Sequence, residues 1–134
     1  MTRVFVDTSA LVVLLDRDDA RHEATAAAFD GLADADLVTH GYVIAETIAV
    51  VRRRLGVEGL TALIDGLLPA IEVLAVEPGS HQAALDRYRR SLPTGTSFVD
   101  SVSLDMIRDH DLSVVFALDP DLATPGVTIL PAEA

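Results

Sequence analysis

The chain contains no cysteine and no lysine, and each absence limits its chemistry. Without cysteine the protein has no disulfide bond, no thiolate metal site and no cysteine nucleophile. All ten basic residues are arginine, so site chemistry that requires a lysine is excluded. Hydrophobic residues nevertheless fill 50% of the 134 positions. That composition predicts one well-packed domain over residues 1–134 and argues against disorder.

Long apolar runs are missing as well. No uninterrupted apolar stretch approaches the ~20 residues that a membrane span requires, and the N-terminus lacks the basic and apolar pattern of a signal peptide. We therefore expect a cytoplasmic protein that has no contact with a membrane.

Positive charge is scarce. The chain has 10 basic and 21 acidic residues, a formal charge of -11, and long-range electrostatics would repel a polyanion. The arginines are grouped, however, at Arg52–Arg54 and at Arg87, Arg89 and Arg90, and guanidinium groups suit bidentate phosphate contacts. The alternative is that they are solvated helix ends stabilised by the helix dipole. Charge alone therefore neither indicates nor excludes a nucleic-acid substrate.

Short β-like runs alternate with helical segments along the chain. The predicted strands are Arg3–Val6, Leu37–Thr39, Ile71–Ala75, Val114–Leu118 and Thr128–Leu130. The predicted helices are Thr8–Leu15, Arg21–Phe29, Tyr42–Leu55, Leu60–Leu68, Pro78–Arg90 and Phe98–Asp109. Repeated β–α alternation predicts an α/β fold, with a central parallel sheet flanked by helices on both faces.

Four acidic residues stand beside apolar runs: Asp7, Glu46, Asp100 and Asp119. Burying a carboxylate is costly unless positive charge meets it. In open α/β sheets ligands bind beyond the carboxyl ends of the strands, and Asp7 and Asp119 follow the first and fourth predicted strands. We therefore expect the four acids to form one pocket, and such a pocket is a common Mg²⁺ or Mn²⁺ site.

Each acid also has a structural explanation. The alternatives are a helix start capped by Thr8 or Ser9 after Asp7, a capping box formed by Ser97 and Asp100, a turn at Asp119-Pro120, and a Glu46–Arg53 ion pair. Four separate coincidences at the ends of different elements are less plausible than one shared site. The sequence thus favours a metal-dependent nuclease in which all four acids are catalytic.

These acidic segments resemble the motifs of the PIN-domain family, and in particular the VapC-type ribonuclease toxins of toxin–antitoxin pairs. The resembling segments are Val4–Ala10, the helix around Glu46, Thr96–Ser103 and Val115–Asp119. The resemblance implies a ribonuclease that leaves a 3′-hydroxyl and a 5′-phosphate. It further implies a VapB-like antitoxin partner and a toxin homodimer.

Several positions depart from the family pattern or carry no assigned role. Pro120-Asp121-Leu122 stands where a basic residue, a histidine and a phenylalanine are frequent, and Asp121 is a ligand, a supporting group or a turn residue. Asp105 lies about 140° around its helix from Asp100, so we expect it to face solvent or a partner. His40 and Tyr42 are expected to be packed or at the surface rather than catalytic.

The expected chemistry follows from repulsion among the acids. Two carboxylates about 4 Å apart repel by ~4 kcal/mol at an effective dielectric of 20. A divalent cation reverses that cost, lowers the pKa of bound water and neutralises the scissile phosphate. We expect Asp7, Asp100 and Asp119 to be metal ligands, with Glu46 ligating directly or through water.

Three other classes of protein were weighed against this prediction. A phosphatase of the haloacid-dehalogenase type would have a second aspartate at position 9, where this chain has Ser9. A receiver-like protein with an acidic pocket would require a lysine. A PIN scaffold that only binds partners remains the alternative to a nuclease.

Overall fold

The computed structural model describes residues 2–132 and contains a five-stranded parallel sheet covered by helices. The strands are β1 (Arg3–Val6), β2 (Asp36–His40), β3 (Ile71–Leu74), β4 (Val114–Phe116) and β5 (Thr128–Leu130). The helices are α1 (Thr8–Leu15), α2 (His22–Asp30), α3 (Gly41–Ala62), α4 (Pro78–Arg90) and α5 (Phe98–Asp109). The α/β class and the parallel sheet predicted from the sequence are confirmed. None of the helices between residues 2 and 132 is both long and apolar enough to cross a membrane.

The strand order, β3-β2-β1-β4-β5, places the first and fourth strands side by side. In the β1–β4 ladder, Phe5 pairs with Val115 and Val6 pairs with Phe116. The chain moves outward from β1 to β3 and then crosses back to β4, so the order reverses between β1 and β4. That reversal is the switch point at which open α/β sheets bind ligands.

Alternation of side chains along the strands separates two hydrophobic cores. Val4, Val6 and Phe116 point to the face covered by α1, where Leu11 packs against them. Phe5, Val38, Val115 and Ala117 point to the face covered by α5, where Met106 and Ile107 join them. Successive strand residues therefore serve opposite faces, as a sheet buried on both sides requires.

The third helix is interrupted by a glycine. Gly56 has φ 67° and ψ -161°, a conformation that side-chain-bearing residues rarely adopt. It separates two straight segments, which correspond to the two helices predicted over Tyr42–Leu55 and Leu60–Leu68. The second segment continues through a π-helical turn, Leu63–Leu67, and a 3₁₀ turn, Leu68–Ala70, into β3.

The fourth strand is shorter than predicted. It ends at Phe116 rather than Leu118, because the chain then changes partners. The Ala117 amide donates to the Leu130 carbonyl (2.9 Å), whereas the Leu118 amide donates to the Ser9 hydroxyl (2.8 Å). Asp119 consequently lies three residues beyond the strand, at the start of a 3₁₀ turn, Pro120–Leu122.

Candidate active site

All four acids predicted from the sequence line one cavity at the carboxyl edge of the sheet. The cavity has a volume of about 340 Å³, and its walls include Asp7, Glu46, Asp100 and Asp119. Asp7 follows β1, Glu46 projects from α3, Asp100 lies in the first turn of α5, and Asp119 follows β4. The switch point between β1 and β4 thus gathers carboxylates that are far apart in the sequence.

Asp7 is fixed by the start of α1. It is the N-cap residue of the helix, and its Oδ2 accepts hydrogen bonds from the Ser9 amide (3.1 Å) and the Ser9 hydroxyl (2.6 Å). The alternative in which Thr8 or Ser9 caps this helix is therefore excluded. Asp7 itself has the extended backbone of an N-cap, with φ -104° and ψ 157°.

Ser9 links the first and fourth acidic segments. While its hydroxyl donates to Asp7, the same oxygen accepts a hydrogen bond from the Leu118 amide (2.8 Å). Leu118 directly precedes Asp119, so one serine holds the two strand ends, and the carboxylates beside them, at a fixed separation. The contact of Ser9 with a residue 109 positions away leaves no local signal in the sequence.

Glu46 reaches the cavity from one turn inside α3, whose inner face is tied to α1. The Thr8 hydroxyl lies 2.9 Å from the Thr47 hydroxyl, and Thr47 donates to the Val43 carbonyl (2.7 Å). These contacts are buried and fix the position of α3 over α1. Glu46 therefore faces Asp7, and the structure records no ion pair between Glu46 and Arg53 in residues 2–132.

Asp100 is held by the start of α5. The Asp100 amide donates to the Ser97 hydroxyl (3.0 Å), so Ser97 is the N-cap of this helix. Among described side-chain hydrogen bonds, the reciprocal bond of a capping box, from the Ser97 amide to the Asp100 carboxylate, is absent. The carboxylate is instead buried, with 7% of its residue surface exposed, and it points towards the other acids.

Asp119 and Asp121 bring a further carboxylate to the group. Asp119 Oδ1 accepts a hydrogen bond from the Asp121 amide (2.9 Å). Carboxylate oxygens of Asp100, Asp119 and Asp121 all lie within 4.8 Å of one another. The sequence analysis left the role of Asp121 open, and the structure places it beside two of the predicted ligands, whereas Asp7 borders the cavity outside this group of three.

The electrostatics of the cavity disfavour a full set of negative charges. Burial, aided by the Asp119 contact and the charges of Asp119, Asp7 and Glu46, raises the pKa of Asp100 to about 8. Burial likewise raises the pKa of Asp7, against the opposing hydrogen bonds from Ser9. The pKa of Glu46 is also raised, mainly by burial. Without a cation Asp100 therefore retains its proton well above the pH at which free carboxyls ionise.

Two arginines line the same cavity. Arg54, which lies two residues before the Gly56 interruption of α3, and Arg21 both contribute to its walls. Arg21 is anchored by Asp19, to which its Nε and Nη2 donate at 3.0 Å each. Cationic side chains at the edge of an acidic cavity suit a ligand that is itself anionic, such as a phosphate diester.

Arg87 has a different role from the one its grouping suggested. Its Nη1 donates to Asp105 Oδ1 (2.5 Å), and its Nη2 donates to the Ser101 carbonyl (2.6 Å). Asp105 also pairs with Arg108 at 3.2 Å. The expectation that Asp105 faces solvent or a partner is therefore wrong: the residue is 6% exposed, because α4 covers the side of α5 that lies away from the cavity.

His40 and Tyr42 are packed, in line with the prediction. His40 is fully buried, and its Nδ1 accepts from the Tyr42 and Val43 amides, which makes it the N-cap of α3. Because Nδ1 accepts, Nε2 carries the proton and donates to the Ser103 hydroxyl (2.9 Å). This contact joins the helix that carries Glu46 to the helix that carries Asp100.

The donor set fits a hard divalent cation. The cavity offers carboxylate oxygens, which Mg²⁺ and Mn²⁺ prefer, and the 131 described residues include no cysteine thiolate to favour a softer metal. The raised pKa values of Asp7, Glu46 and Asp100 mark the site as short of positive charge. A cation would supply it.

A larger cavity, of about 630 Å³, lies elsewhere on the molecule. It is bounded by Arg87, Asp105 and Arg108 on one side and by the Thr124–Val127 loop on the other. None of the four predicted acids borders it. Arg87, Asp105 and Arg108 in its wall are already paired with one another, so this wall lacks the electrostatic deficit of the acidic cavity.

Comparison with known proteins agrees with this geometry. Residues 4–126 match the PIN domain. The structure is similar to the crystal structure of Mycobacterium tuberculosis VapC20, described as a sarcin–ricin loop cleaving toxin: TM-score 0.81, 25% sequence identity, 93% of this chain and 96% of that chain covered. It shares its fold with PAE2754 from Pyrobaculum aerophilum: TM-score 0.64, 20% identity, 96% and 90% covered. No curated protein sequence matches the chain significantly. Since the family match spans all four acidic segments, the chain belongs to the PIN-domain family.

Proposed function

We propose that this protein is a divalent-metal-dependent ribonuclease and the toxin of a VapBC-type toxin–antitoxin pair. The observation that carries the proposal is the convergence of Asp7, Glu46, Asp100 and Asp119 on one cavity. Three of the four have raised pKa values, with burial as the main cause. Such a site is electrostatically incomplete by itself, and Mg²⁺ or Mn²⁺ is the complement that we propose.

The proposed ligands are Asp7, Asp100 and Asp119, and Asp121 joins them because of its place beside the last two. When bound, the cation would neutralise the acids, activate a water molecule and stabilise charge on the scissile phosphate. Glu46 is suited to accept a proton from a water in the cavity, because burial raises its pKa and so makes it a stronger base. Arg21 and Arg54 would hold the phosphates of the strand.

The proposed reaction is hydrolysis of an RNA phosphodiester. Water adds to phosphorus as the bond to the 3′ oxygen breaks. The products are a 3′-hydroxyl on one fragment and a 5′-phosphate on the other. The reaction needs no enzyme nucleophile, which agrees with a chain that has no cysteine and no serine activated by a histidine at the cavity.

A toxin of this kind has to be silenced in the cell that makes it. We propose a VapB-like antitoxin that inserts an arginine or lysine into the acidic cavity, where it would compete with the cation and the phosphates. We further propose that the toxin is a homodimer located in the cytoplasm. The competing function is a PIN scaffold that binds partners without cleaving RNA.

The decisive experiment is an RNA cleavage assay with Mg²⁺, with Mn²⁺ and with EDTA. A synthetic sarcin–ricin loop hairpin is a suitable first RNA, because the similar VapC20 is described as cleaving that loop. Asp7→Asn, Glu46→Gln, Asp100→Asn and Asp119→Asn should each reduce cleavage by roughly 100-fold or more, and the combined losses should be less than additive.

The matched control is Asp86→Asn. Asp86 is an exposed aspartate on α4 whose carboxylate accepts a hydrogen bond only from Gln82 among described residues, so its loss should leave cleavage unchanged. Near-normal cleavage by all four cavity variants, or equal cleavage in EDTA, would contradict the assignment. Absence of cleavage of any RNA by the wild-type protein would favour the binding scaffold.

A further inference from the structure

Half of the aromatic residues of this chain gather beside the acidic cavity. The sequence has only four phenylalanines and two tyrosines, and no tryptophan. Tyr42, Tyr88 and Phe98, together with His81, form one cluster that we call the aromatic cluster. Phe98 is its centre, with ring centroids 5.8 Å from Tyr42, 6.0 Å from Tyr88 and 5.5 Å from His81. In a chain this poor in aromatics, the concentration calls for an explanation.

The cluster differs from an ordinary core. Phe5 and Phe116 are fully buried between sheet and helices, whereas every ring of the aromatic cluster keeps part of its surface exposed. Tyr42 and Phe98 stack with an angle of 29° between their planes. The cluster therefore lies at the surface of the protein, where its partly exposed residues pack with one another and can be reached by a flat ligand.

The cluster is continuous with the acidic cavity. Tyr42 lies one helical turn before Glu46, so the two side chains share a face of α3. Phe98 lies two residues before Asp100 and is adjacent to Ser97, which lines the cavity. A strand bound at the cavity can therefore reach the aromatic cluster along α3 and α5.

The rings are also held in place from below. Tyr42 packs edge-on against buried His40 at 5.6 Å, and His40 packs against Phe5 at 5.8 Å. The Tyr42 hydroxyl and His81 Nδ1 lie 2.6 Å apart in a hydrogen bond. Because the rings are ordered before a ligand arrives, little conformational entropy is lost when one stacks on them.

We propose that the aromatic cluster of Tyr42, His81, Tyr88 and Phe98 binds an unpaired nucleobase next to the phosphate held in the acidic cavity. The inference rests on the proposed nuclease function and specifies its substrate class: RNA with a base free to leave its stack. Aromatic side chains bind unpaired bases by stacking and accept every base, since each has a π face. The acidic residues would act on the phosphate, and the aromatic cluster would select a single-stranded or looped site.

The test combines a ring deletion with a base deletion. RNA binding is measured in the Asp119→Asn background, where cleavage is blocked, by fluorescence anisotropy with a labelled single-stranded oligoadenylate and with an abasic ribose-phosphate strand of equal length. Phe98→Leu and Tyr42→Leu should each weaken oligoadenylate binding by roughly fivefold to 100-fold. Neither substitution should weaken binding of the abasic strand. The loss of affinity from deleting a ring and the loss from removing the bases should therefore be strongly non-additive.

The matched control is Phe29→Leu. Phe29 is also a partly exposed aromatic residue, but it packs on Phe116 at 5.9 Å, remote from the cavity, so its loss should leave both affinities unchanged. Circular dichroism checks that each variant folds. If neither leucine variant folds, the affinities of the Asp119→Asn protein for the two strands still test the proposal. A stacking site requires that the abasic strand bind more weakly.

The outcomes separate the two claims. The stacking site would be overturned if the protein bound the two strands with equal affinity, or if the leucine variants lost equal affinity for both strands. Cleavage of RNA by the wild-type protein would in that case still support the nuclease. A wild-type protein that neither binds nor cleaves RNA would overturn the proposed function, and the stacking site with it.

Discussion

Replacement of Asp100 by asparagine should stabilise the protein when no metal is present. Its carboxyl is buried among like charges, which raises its pKa from 3.8 to about 8. An acid with a raised pKa in the folded state favours folding when it is protonated. Its stabilising contribution is present below pH 4 and is lost as the pH rises from about 4 to about 8. At pH 8 in EDTA, the ionised wild-type residue therefore opposes folding.

The size of the effect follows from that shift. The pKa difference of about 4.2, from 8 - 3.8, corresponds to at most about 6 kcal/mol at 1.36 kcal/mol per pKa unit. Water in the open cavity screens the charge and neighbouring acids share the proton, so we expect about 2 kcal/mol. For a domain of this length, that gain corresponds to a rise in melting temperature of roughly 7 °C.

The assay is thermal and urea unfolding of wild type and Asp100→Asn in EDTA, at pH 8 and at pH 4. The variant should be more stable at pH 8, and the difference should shrink towards zero at pH 4. Added Mg²⁺ should stabilise the wild type far more than the variant. A variant that is less stable at pH 8, or a gain that does not change with pH, would refute the electrostatic reasoning.

A control substitution on the same helix should change the stability in the opposite direction. Asp105 is as buried as Asp100, but it lies between Arg87 and Arg108. Asp105→Asn leaves two guanidinium groups without their carboxylate, so it should destabilise the protein by about 1–3 kcal/mol in EDTA or Mg²⁺ alike. Two buried aspartates five positions apart thus report whether the surroundings, and not burial alone, decide the outcome.

Two further predictions concern His40 and Arg54. Burial lowers the pKa of His40 from 6.5 to about 4, so the free energy of unfolding should fall as the pH drops from 6.5 to 4. His40→Asn keeps an N-cap acceptor but does not titrate, so urea unfolding should show the wild type losing about 2 kcal/mol more than this variant between pH 7.5 and pH 4.5. Equal losses would contradict a buried neutral imidazole. Arg54 lines the acidic cavity, so Arg54→Ala should weaken RNA binding and lower the slope of log affinity against log salt by about 1. The same loss of charge in Arg108→Ala, outside that cavity, should leave the slope unchanged. An unchanged slope in Arg54→Ala would assign Arg54 a structural role.

Much of the fold follows from local patterns. Runs such as Val4-Phe5-Val6 predict strands buried on both faces, and the structure distributes their side chains between two cores. The glycine at position 56 marks the interruption of α3. The strand order could not be read in the same way, since pairing of β1 with β4 joins residues over 100 positions apart. A site shared by Asp7 and Asp119 requires only that β1 and β4 be neighbours, and it leaves the rest of the strand order open.

The errors have a common physical origin. Asp105 was predicted to lie at the surface from its angle around α5 relative to Asp100. The sequence did not show that α4 packs against that side of α5. For Arg87 the sequence left a phosphate contact and a solvated helix end open, and it did not reveal the ion pair with Asp105 because that pair joins two helices. The aromatic cluster also draws residues from α3, α4 and α5. Each feature depends on how helices pack against one another, which periodicity along a single helix does not specify.

The structural and catalytic explanations of the acids prove to be compatible. Asp7 Oδ2 caps α1 and Asp119 Oδ1 caps the following 3₁₀ turn, yet a carboxylate has about four acceptor positions, and a cap occupies only part of them. Capping fixes the orientation of each side chain, so a cation meets ligands that are already in place. Asparagine also caps helices well, so an amide variant removes the charge and retains the cap. Alanine would remove both, and a loss of activity in Asp7→Ala would not distinguish a lost ligand from a displaced helix.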